Sequence, residues 1–112
     1  MTKLKLPGRY LQFQKNYPDV FAAYNSLGKA INQCGPLAPR EVALVKLGIA
    51  AGARLEGGVH SHTRRALEAG VSPAEIRHAV LLSTTTLGFP SMMAVLSWVD
   101  DVLNEAAATS EG

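Results

Sequence analysis

The sequence predicts an all-α protein, and three observations lead to this prediction. Apolar side chains recur every three or four residues in several segments, which places them on one face of a helix. Proline and glycine separate these segments. No segment sustains the alternation of apolar and polar residues that a half-buried strand requires. We therefore expect about six helices in a single domain that spans residues 1–112.

The composition limits the classes of partner. The chain has 112 residues, of which 47% are hydrophobic, and a formal net charge of +2 at pH 7. Its basic residues form no block longer than Arg64-Arg65, so we do not expect nucleic acid as a partner. The least charged run, 42–53, is too short to cross a bilayer, so no membrane partner is expected. A single cysteine forms no intrachain disulfide and residues 1–5 lack the apolar segment of a signal peptide, so we expect a cytoplasmic protein.

Two helices are predicted between residues 6 and 35. Tyr10, Phe13 and Tyr17 recur at helical spacing before Pro18 ends the first pattern. Pro18 also suits the first turn of the second helix, which ends before Gly35-Pro36 and carries an apolar stripe. The stripe consists of Val20, Phe21, Tyr24, Leu27 and Ile31.

The third helix is expected to be the buried centre of the fold. Pro39 suits its first turn, and from Val42 to Ala53 its only charged residue is Lys46, so it is apolar nearly all round. Lys46 could be a desolvated catalytic amine. We interpret it instead as a side chain whose long stem reaches solvent.

The fourth helix contains two of the three histidines and is the expected location of the functional site. Gly57-Gly58 favours a start at Gly58, and Gly70 is the expected stop. His60 and His62 point about 160° apart on a helix, which argues against both binding one metal ion from this helix. Glu56 and His60 have the spacing of a shared face, but only if the helix starts as early as Glu56. The expected apolar face is Val59, Thr63, Ala66, Leu67 and Gly70.

Two further helices are predicted after Gly70. Ser72-Pro73-Ala74-Glu75 has the pattern of a capping box with proline at the first helical position. The helix that it opens reaches Thr84-Thr85-Thr86, and Leu87-Gly88-Phe89-Pro90 then breaks it. The last helix is expected from Ser91 to about Ala106, with a fraying tail at 107–112. Its stripe, interpreted as core or subunit interface, is Met92, Val95, Leu96, Val99, Val102 and Leu103.

Four motifs in this order resemble the carboxymuconolactone decarboxylase family, which includes the alkylhydroperoxidase D-like proteins. The resemblance covers about Leu37 to Leu103. The motifs are Ala53-Arg54-Leu55-Glu56-Gly57-Gly58, the run His62 to Gly70, Ser72-Pro73-Ala74-Glu75-Ile76 and Gly88-Phe89-Pro90. The resemblance implies a helical fold built around an antiparallel helical hairpin. It also implies assembly into a homo-oligomer, a trimer or a hexamer.

The sequence departs from the peroxidase members of that family. Those members use a glutamate, a Cys-x-x-Cys pair and a histidine four residues after the second cysteine. When His62 is aligned with that histidine, Leu55 and Gly58 occupy the cysteine positions. Ala43 then occupies the glutamate position. Thiol exchange needs a thiolate and a resolving sulfur, so dithiol peroxidase activity is not expected.

A shifted alignment leads to the same result. When His60 takes the histidine position, Glu41 fills the acid position, but Ala53 and Glu56 replace the cysteines. We interpret Cys34 as a small semi-buried hydrophobe, because no second cysteine is present to resolve an oxidised form.

The decarboxylase members need no cysteine. Loss of CO2 from an unsaturated lactone acid requires a cation that holds carboxylate and a general acid that protonates carbon, and histidine suits this proton transfer because its reference pKa is about 6.5. His62 matches the family histidine, and His60 and Glu56 are its nearest polar neighbours. These three are the candidate catalytic residues of a lyase-like acid–base enzyme that acts on a small organic acid or lactone. We assign no cofactor and no metal ligand.

Two alternative functions remain open. The protein could be a redox family member that has lost its thiol site, or a non-catalytic oligomer that binds a small molecule or a metal ion. A metal site would require His60 or His62 to meet ligands from another helix or subunit, since zinc usually needs three or four protein ligands. The non-catalytic interpretation of His62 is a core histidine bonded to a backbone carbonyl. For His60 and His78 it is a surface or interface position.

Overall fold

The computed structural model describes the backbone of residues 8–111 and the side chains of residues 8–108. This part of the chain forms seven helices and no strand, which confirms the all-α class. The helices are α1 (Gly8–Asn16), α2 (Pro18–Gln33), α3 (Pro39–Gly52), α4 (Glu56–Glu68), α5 (Pro73–Leu81), α6 (Thr84–Leu87) and α7 (Phe89–Glu111). By its contacts the chain separates into two compact units, one with α1 and α2 and one with α3 to α7. A single domain over 1–112 stays a prediction.

The first unit is a pair of helices joined at Tyr17. Pro18 occupies the first turn of α2 as expected, and the N–H of Phe21 donates to the carbonyl of Tyr17 at 2.9 Å. The rings of Tyr10 and Phe21 meet edge to face with their centroids 5.4 Å apart. The stripe predicted on α2 does not form a core, because most of its side chains are more than half exposed. Two helices alone have too little surface to enclose such a stripe.

The second unit contains the hydrophobic core. Its buried side chains come from α3, α4, α5 and α7 and from Val71, which lies between α4 and α5. They include Ala43, Leu47, Ala50, Ala51, Val59, Ala66, Val71, Ile76, Val80, Met92, Val95, Val99 and Leu103. The predicted faces of α4 and α7 are therefore confirmed for most of their members. Thr63 is buried among them, and its hydroxyl donates to the carbonyl of Val59 at 2.7 Å.

The third helix is buried on one face only, so the expectation that it is enclosed on nearly all sides is wrong. Ala43, Leu47 and Ala50 are buried in the core. Val45 and Ile49, one helical turn apart, are 50% and 65% exposed. The composition of α3 is apolar all round, but the other helices of its unit leave that second face uncovered.

A tight turn folds α4 back against α3 and produces the expected helical hairpin. The N–H of Leu55 donates to the carbonyl of Ala50 at 3.0 Å, and the N–H of Arg54 donates to Ala51 at 3.1 Å. This pattern is a Schellman motif, in which the residue after the cap takes a left-handed conformation. Arg54 has that conformation, with φ of 55°.

The fourth helix begins at Glu56, so the predicted start at Gly58 is wrong. Leu55 is its N-cap, and the carbonyl of Leu55 accepts the N–H of Val59 at 2.8 Å. Gly58 does not mark the start of the helix; it allows α4 to pack closely against α3. A Cβ atom at this position would lie 3.3 Å from the Cβ atoms of Ala50 and Leu55.

The remaining helix ends follow the sequence signals closely. Gly70 ends α4 with φ of 87°, and Ser72 and Glu75 form the predicted capping box of α5. The predicted break lies at Gly88, where φ is 106°. The segment before it is a separate short helix, α6, which raises the number of helices above the expected six.

The last helix is longer than predicted at both ends. It starts at Phe89, because Pro90 in its first turn has no N–H that needs a partner. It continues to Glu111, beyond the predicted end at about Ala106; Gly112 and residues 1–7 lie outside the described part. None of the helices within 8–111 has the length and apolar character needed to cross a membrane.

Candidate functional site

The two histidines of α4 have different surroundings. His60 faces α7, where its Nε2 atom lies 3.2 Å from Oδ2 of Asp101. His62 is affected by the charges of Lys46 on α3 and Arg65 on its own helix. The three predicted site residues therefore do not form one site. Glu56 and His60 come together with Asp101, and His62 points to the other side of α4, as their spacing requires.

Glu56, His60 and Asp101 form the first of two candidate sites. Because α4 starts at Glu56, the carboxylate of Glu56 is one helical turn from His60. One potential ligand atom from each of the three residues lies within 4.8 Å of the other two. The His60 side chain is 25% exposed and the Asp101 side chain 63% exposed. The cluster is thus an open surface group anchored by a mostly enclosed imidazole.

The packing of α4 against α7 fixes the distance between these side chains. Val59 and Thr63 are buried on α4, and Val99 and Val102 are buried on α7. Asp101 lies between the two valines of α7. The core contacts on both helices therefore hold the backbones of Asp101 and the α4 residues in place, although the carboxylate itself reaches solvent.

Asp101 is the site residue that the sequence did not identify. The stripe of α7 gave the position of its buried face, and Asp101 simply appeared as a polar residue next to it. The sequence pattern of one helix does not show how that helix is rotated relative to another. Only the packing of α7 on α4 brings Asp101 to His60, which is 41 residues earlier in the chain.

His62 is the second candidate site. The residue is half-buried, and its Nδ1 atom is buried without a hydrogen-bond partner among the residues that the structure describes. The interpretation of His62 as a core histidine requires a carbonyl bonded to the ring, and none is bonded to Nδ1.

The environment of His62 disfavours its charged form. Burial lowers the pKa of His62 below its ordinary value of 6.5, and the positive charges of Lys46 and Arg65 lower it further. Both effects act in the same direction, because a protonated ring would lose hydration and would also be repelled by the two cations. The ring is therefore mainly neutral near pH 7, next to two groups that attract anions.

The two positions that align with the family cysteines, Leu55 and Gly58, lie at the N-cap and in the first turn of α4. Leu55 is exposed as the N-cap, and Gly58 packs against Ala50. Cys34 belongs to the first unit, where its Sγ atom donates to the carbonyl of Ile31 at 3.2 Å. Cys34 is exposed, so its predicted semi-buried position is wrong. Cys34 lies in the short exposed turn that follows the end of α2.

The third histidine and the two adjacent arginines occupy ordinary surface positions. His78 is exposed on α5, as expected. Arg65 is exposed and Arg64 is half-buried. Arg65 still contributes to the second site through its charge.

The fold and these side chains define a class of helical protein whose central hairpin carries a histidine but no cysteine pair. Residues 18–101, well over half of the chain, match the model of the carboxymuconolactone decarboxylase family, and the chain belongs to that family. The match begins at the start of α2, whereas the resemblance seen in the sequence covers only about Leu37 to Leu103. Comparisons with curated proteins and with solved structures gave no match.

Proposed function

We propose that this family member is a cysteine-independent acid–base enzyme that acts on a small organic acid or lactone, with His62 as the proton-transferring residue. The observation that carries the proposal is the buried Nδ1 atom of His62, which has no partner in the described part of the chain. Buried polar atoms are nearly always hydrogen-bonded, and leaving one unpaired costs about 1–3 kcal/mol. A histidine kept only for stability would not be expected to bear that cost.

The charges around His62 support an anionic substrate. Lys46 and Arg65 both act on the ring electrostatically, and lysine and arginine form strong charge-assisted hydrogen bonds with carboxylates. A carboxylate placed between them and the ring would replace a repulsive arrangement of cations by an attractive one. This supports roles for Lys46 and Arg65 in holding the substrate and for His62 in the chemical step.

A decarboxylation at this site balances with these groups alone. The bond between carbon and the carboxylate breaks, CO2 leaves, and the electron pair stays on carbon. The ring of His62, which is mainly neutral in the free protein, takes up a proton from water when the anionic substrate is bound and donates that proton to the carbon. Lys46 and Arg65, which hold a carboxylate of the substrate, keep it aligned during this transfer.

The test uses unsaturated lactone acids as probes, beginning with carboxymuconolactone. We expect the wild-type protein to release CO2 and the His62→Gln variant to turn over about 10²- to 10⁴-fold more slowly, as for loss of a general acid. His78→Gln is the matched control, because it removes an exposed histidine outside both sites. Circular dichroism should show the same helical content in all three proteins.

Two results would contradict the proposal. The first is that the wild-type protein turns over none of the lactone acids, which would refute the proposed enzymatic activity. A His62→Gln variant that keeps full turnover but melts several degrees lower assigns His62 to the core instead.

The redox alternative is tested with a hydroperoxide and a thiol reductant: thiol-dependent turnover that disappears in Cys34→Ser would support that alternative.

A further inference from the structure

The cluster on the opposite side of α4 contains a ligand set that the proposed acid–base chemistry does not use. We propose that Glu56, His60 and Asp101 bind one divalent transition-metal ion of the zinc class, with water completing its coordination. Two helices contribute the ligands, Glu56 and His60 from α4 and Asp101 from α7. The proposal involves none of the atoms of His62.

The distances fit such an ion. Zinc binds imidazole nitrogen at about 2.0–2.1 Å and carboxylate oxygen at about 2.0–2.2 Å in a tetrahedral arrangement, so two of its ligand atoms lie about 3.4 Å apart. The Nε2 atom of His60 and Oδ2 of Asp101 are 3.2 Å apart. The potential ligand atom of Glu56 is within 4.8 Å of both. A rotation about the side-chain bonds of the exposed Glu56 brings it into range.

The charges of the cluster also favour a cation. Two carboxylates approach one another at this site, and their mutual repulsion is relieved when a dication lies between them. Within residues 8–108, neither Glu56 nor Asp101 pairs with a lysine or an arginine. The imidazole of His60 is the partner of Asp101, and in its neutral form it presents a lone pair to a metal.

The scaffold holds two of the three ligands before the ion arrives. The buried faces of α4 and α7 fix the backbones, and the low exposure of His60 restricts its ring. Three protein ligands with one coordination position open to water form the arrangement of zinc sites that retain an exchangeable ligand. Imidazole together with carboxylates favours zinc and its transition-metal neighbours over Mg²⁺ and Ca²⁺, which prefer oxygen ligands only.

The test measures metal uptake directly. Untagged full-length protein, stripped with a chelator and dialysed, is titrated with ZnCl2 by isothermal calorimetry. We expect one zinc ion per chain, at least tenfold weaker binding in Glu56→Gln, His60→Gln and Asp101→Asn, and no competition from excess Mg²⁺. Co²⁺ should give the visible absorption of a four-coordinate ion in the wild type and lose it in His60→Gln.

Two matched controls separate this site from other histidines. His78→Gln removes an exposed histidine elsewhere, and His62→Gln removes the neighbouring histidine of α4; both should bind zinc as the wild type does. Wild-type protein that takes up no zinc, or His60→Gln protein that binds it equally well, overturns the proposal. Because uptake is measured without a substrate, failure of the acid–base function at His62 leaves this result unchanged.

Discussion

At the scale of single residues, a spacing of two positions gives the histidines of α4 opposite surroundings. His60 meets two carboxylates, which attract cations, whereas His62 lies near Lys46 and Arg65, which attract anions. A spacing of three or four residues would have placed both rings on one face of the helix and in one environment. One short helix can therefore serve two ligands of opposite charge.

The glycines at the start of α4 give a test of how closely the hairpin is packed. A Cβ atom on Gly57 meets nothing within 4 Å, whereas one on Gly58 would lie 3.3 Å from the Cβ of Ala50. We expect Gly57→Ala to stabilise the protein by about 0.5–1 kcal/mol through helix propensity. Gly58→Ala should destabilise it by about 1–3 kcal/mol, because Ala50 is buried and has little room to move.

Urea unfolding followed by circular dichroism measures both changes. The two substitutions are chemically identical and adjacent in sequence, so each is the control of the other. Equal stabilities for Gly57→Ala and Gly58→Ala would show that α3 and α4 do not approach as closely at Ala50 as the structure indicates.

The same residues show what the sequence could and could not predict about the site. His60, His62 and Glu56 were found because their types and spacing within one helix are visible. The start of α4 was misplaced because glycine usually signals a helix end, whereas Gly58 is required here for contact with another helix. Asp101 was missed because its role depends on how two helices pack.

At the scale of elements, helix ends were predictable wherever a side chain or a glycine determines them. The N–H of Glu75 donates to Ser72 Oγ at 3.1 Å, and Oε1 of Glu75 accepts the N–H of Ser72 at 2.9 Å, as the capping-box pattern implied. Gly70 ends α4 with a positive φ as expected. Arg54 has the same conformation after α3, but an arginine carries no signal for it.

The capping box of α5 predicts a specific dependence of stability on pH. The N–H of Ser72 and the side chain of Arg40, whose Nη2 atom is 2.8 Å from Oε1, hold the pKa of Glu75 at about 2, below its ordinary 4.5. The folded state therefore binds this proton less readily than the unfolded state. The stabilisation from ionised Glu75 is complete above pH 4.5 and is lost as the pH falls towards 2.

Glu75→Gln should lower the melting temperature at pH 7 relative to the wild type. This deficit in melting temperature should shrink as the pH falls from 4.5 to 2. The measurement is thermal unfolding by circular dichroism at several pH values in this range. Glu68→Gln, at the end of α4, is the control for loss of one exposed carboxylate. A Glu75→Gln protein whose deficit stays constant from pH 7 to pH 2 would show that the carboxylate does not stabilise the cap.

At the scale of the whole molecule, the exposed apolar surface is the main feature that the chain itself leaves unexplained. The sequence indicated that α3 is apolar nearly all round and which face of α7 is apolar, but it could not indicate which of these surfaces a single chain buries. The face of α3 that bears Val45 and Ile49 remains open, and further large side chains are about half or more exposed. These include Leu55, Leu81, Leu82, Phe89 and Met93.

The last prediction is that the protein is an obligate homo-oligomer, a trimer or hexamer as the family resemblance implies. Such an assembly buries this exposed apolar surface between copies of the chain. A small domain gains stability when a partner covers its apolar faces. Sedimentation equilibrium at micromolar concentration should give a multiple of the 11.9 kDa chain mass. Ile49→Glu, which places a charge on the open face of α3, should shift the protein towards smaller species. Ala74→Glu adds the same charge at an exposed position of α5 and should not. A wild-type protein that sediments only as the monomer would refute the prediction.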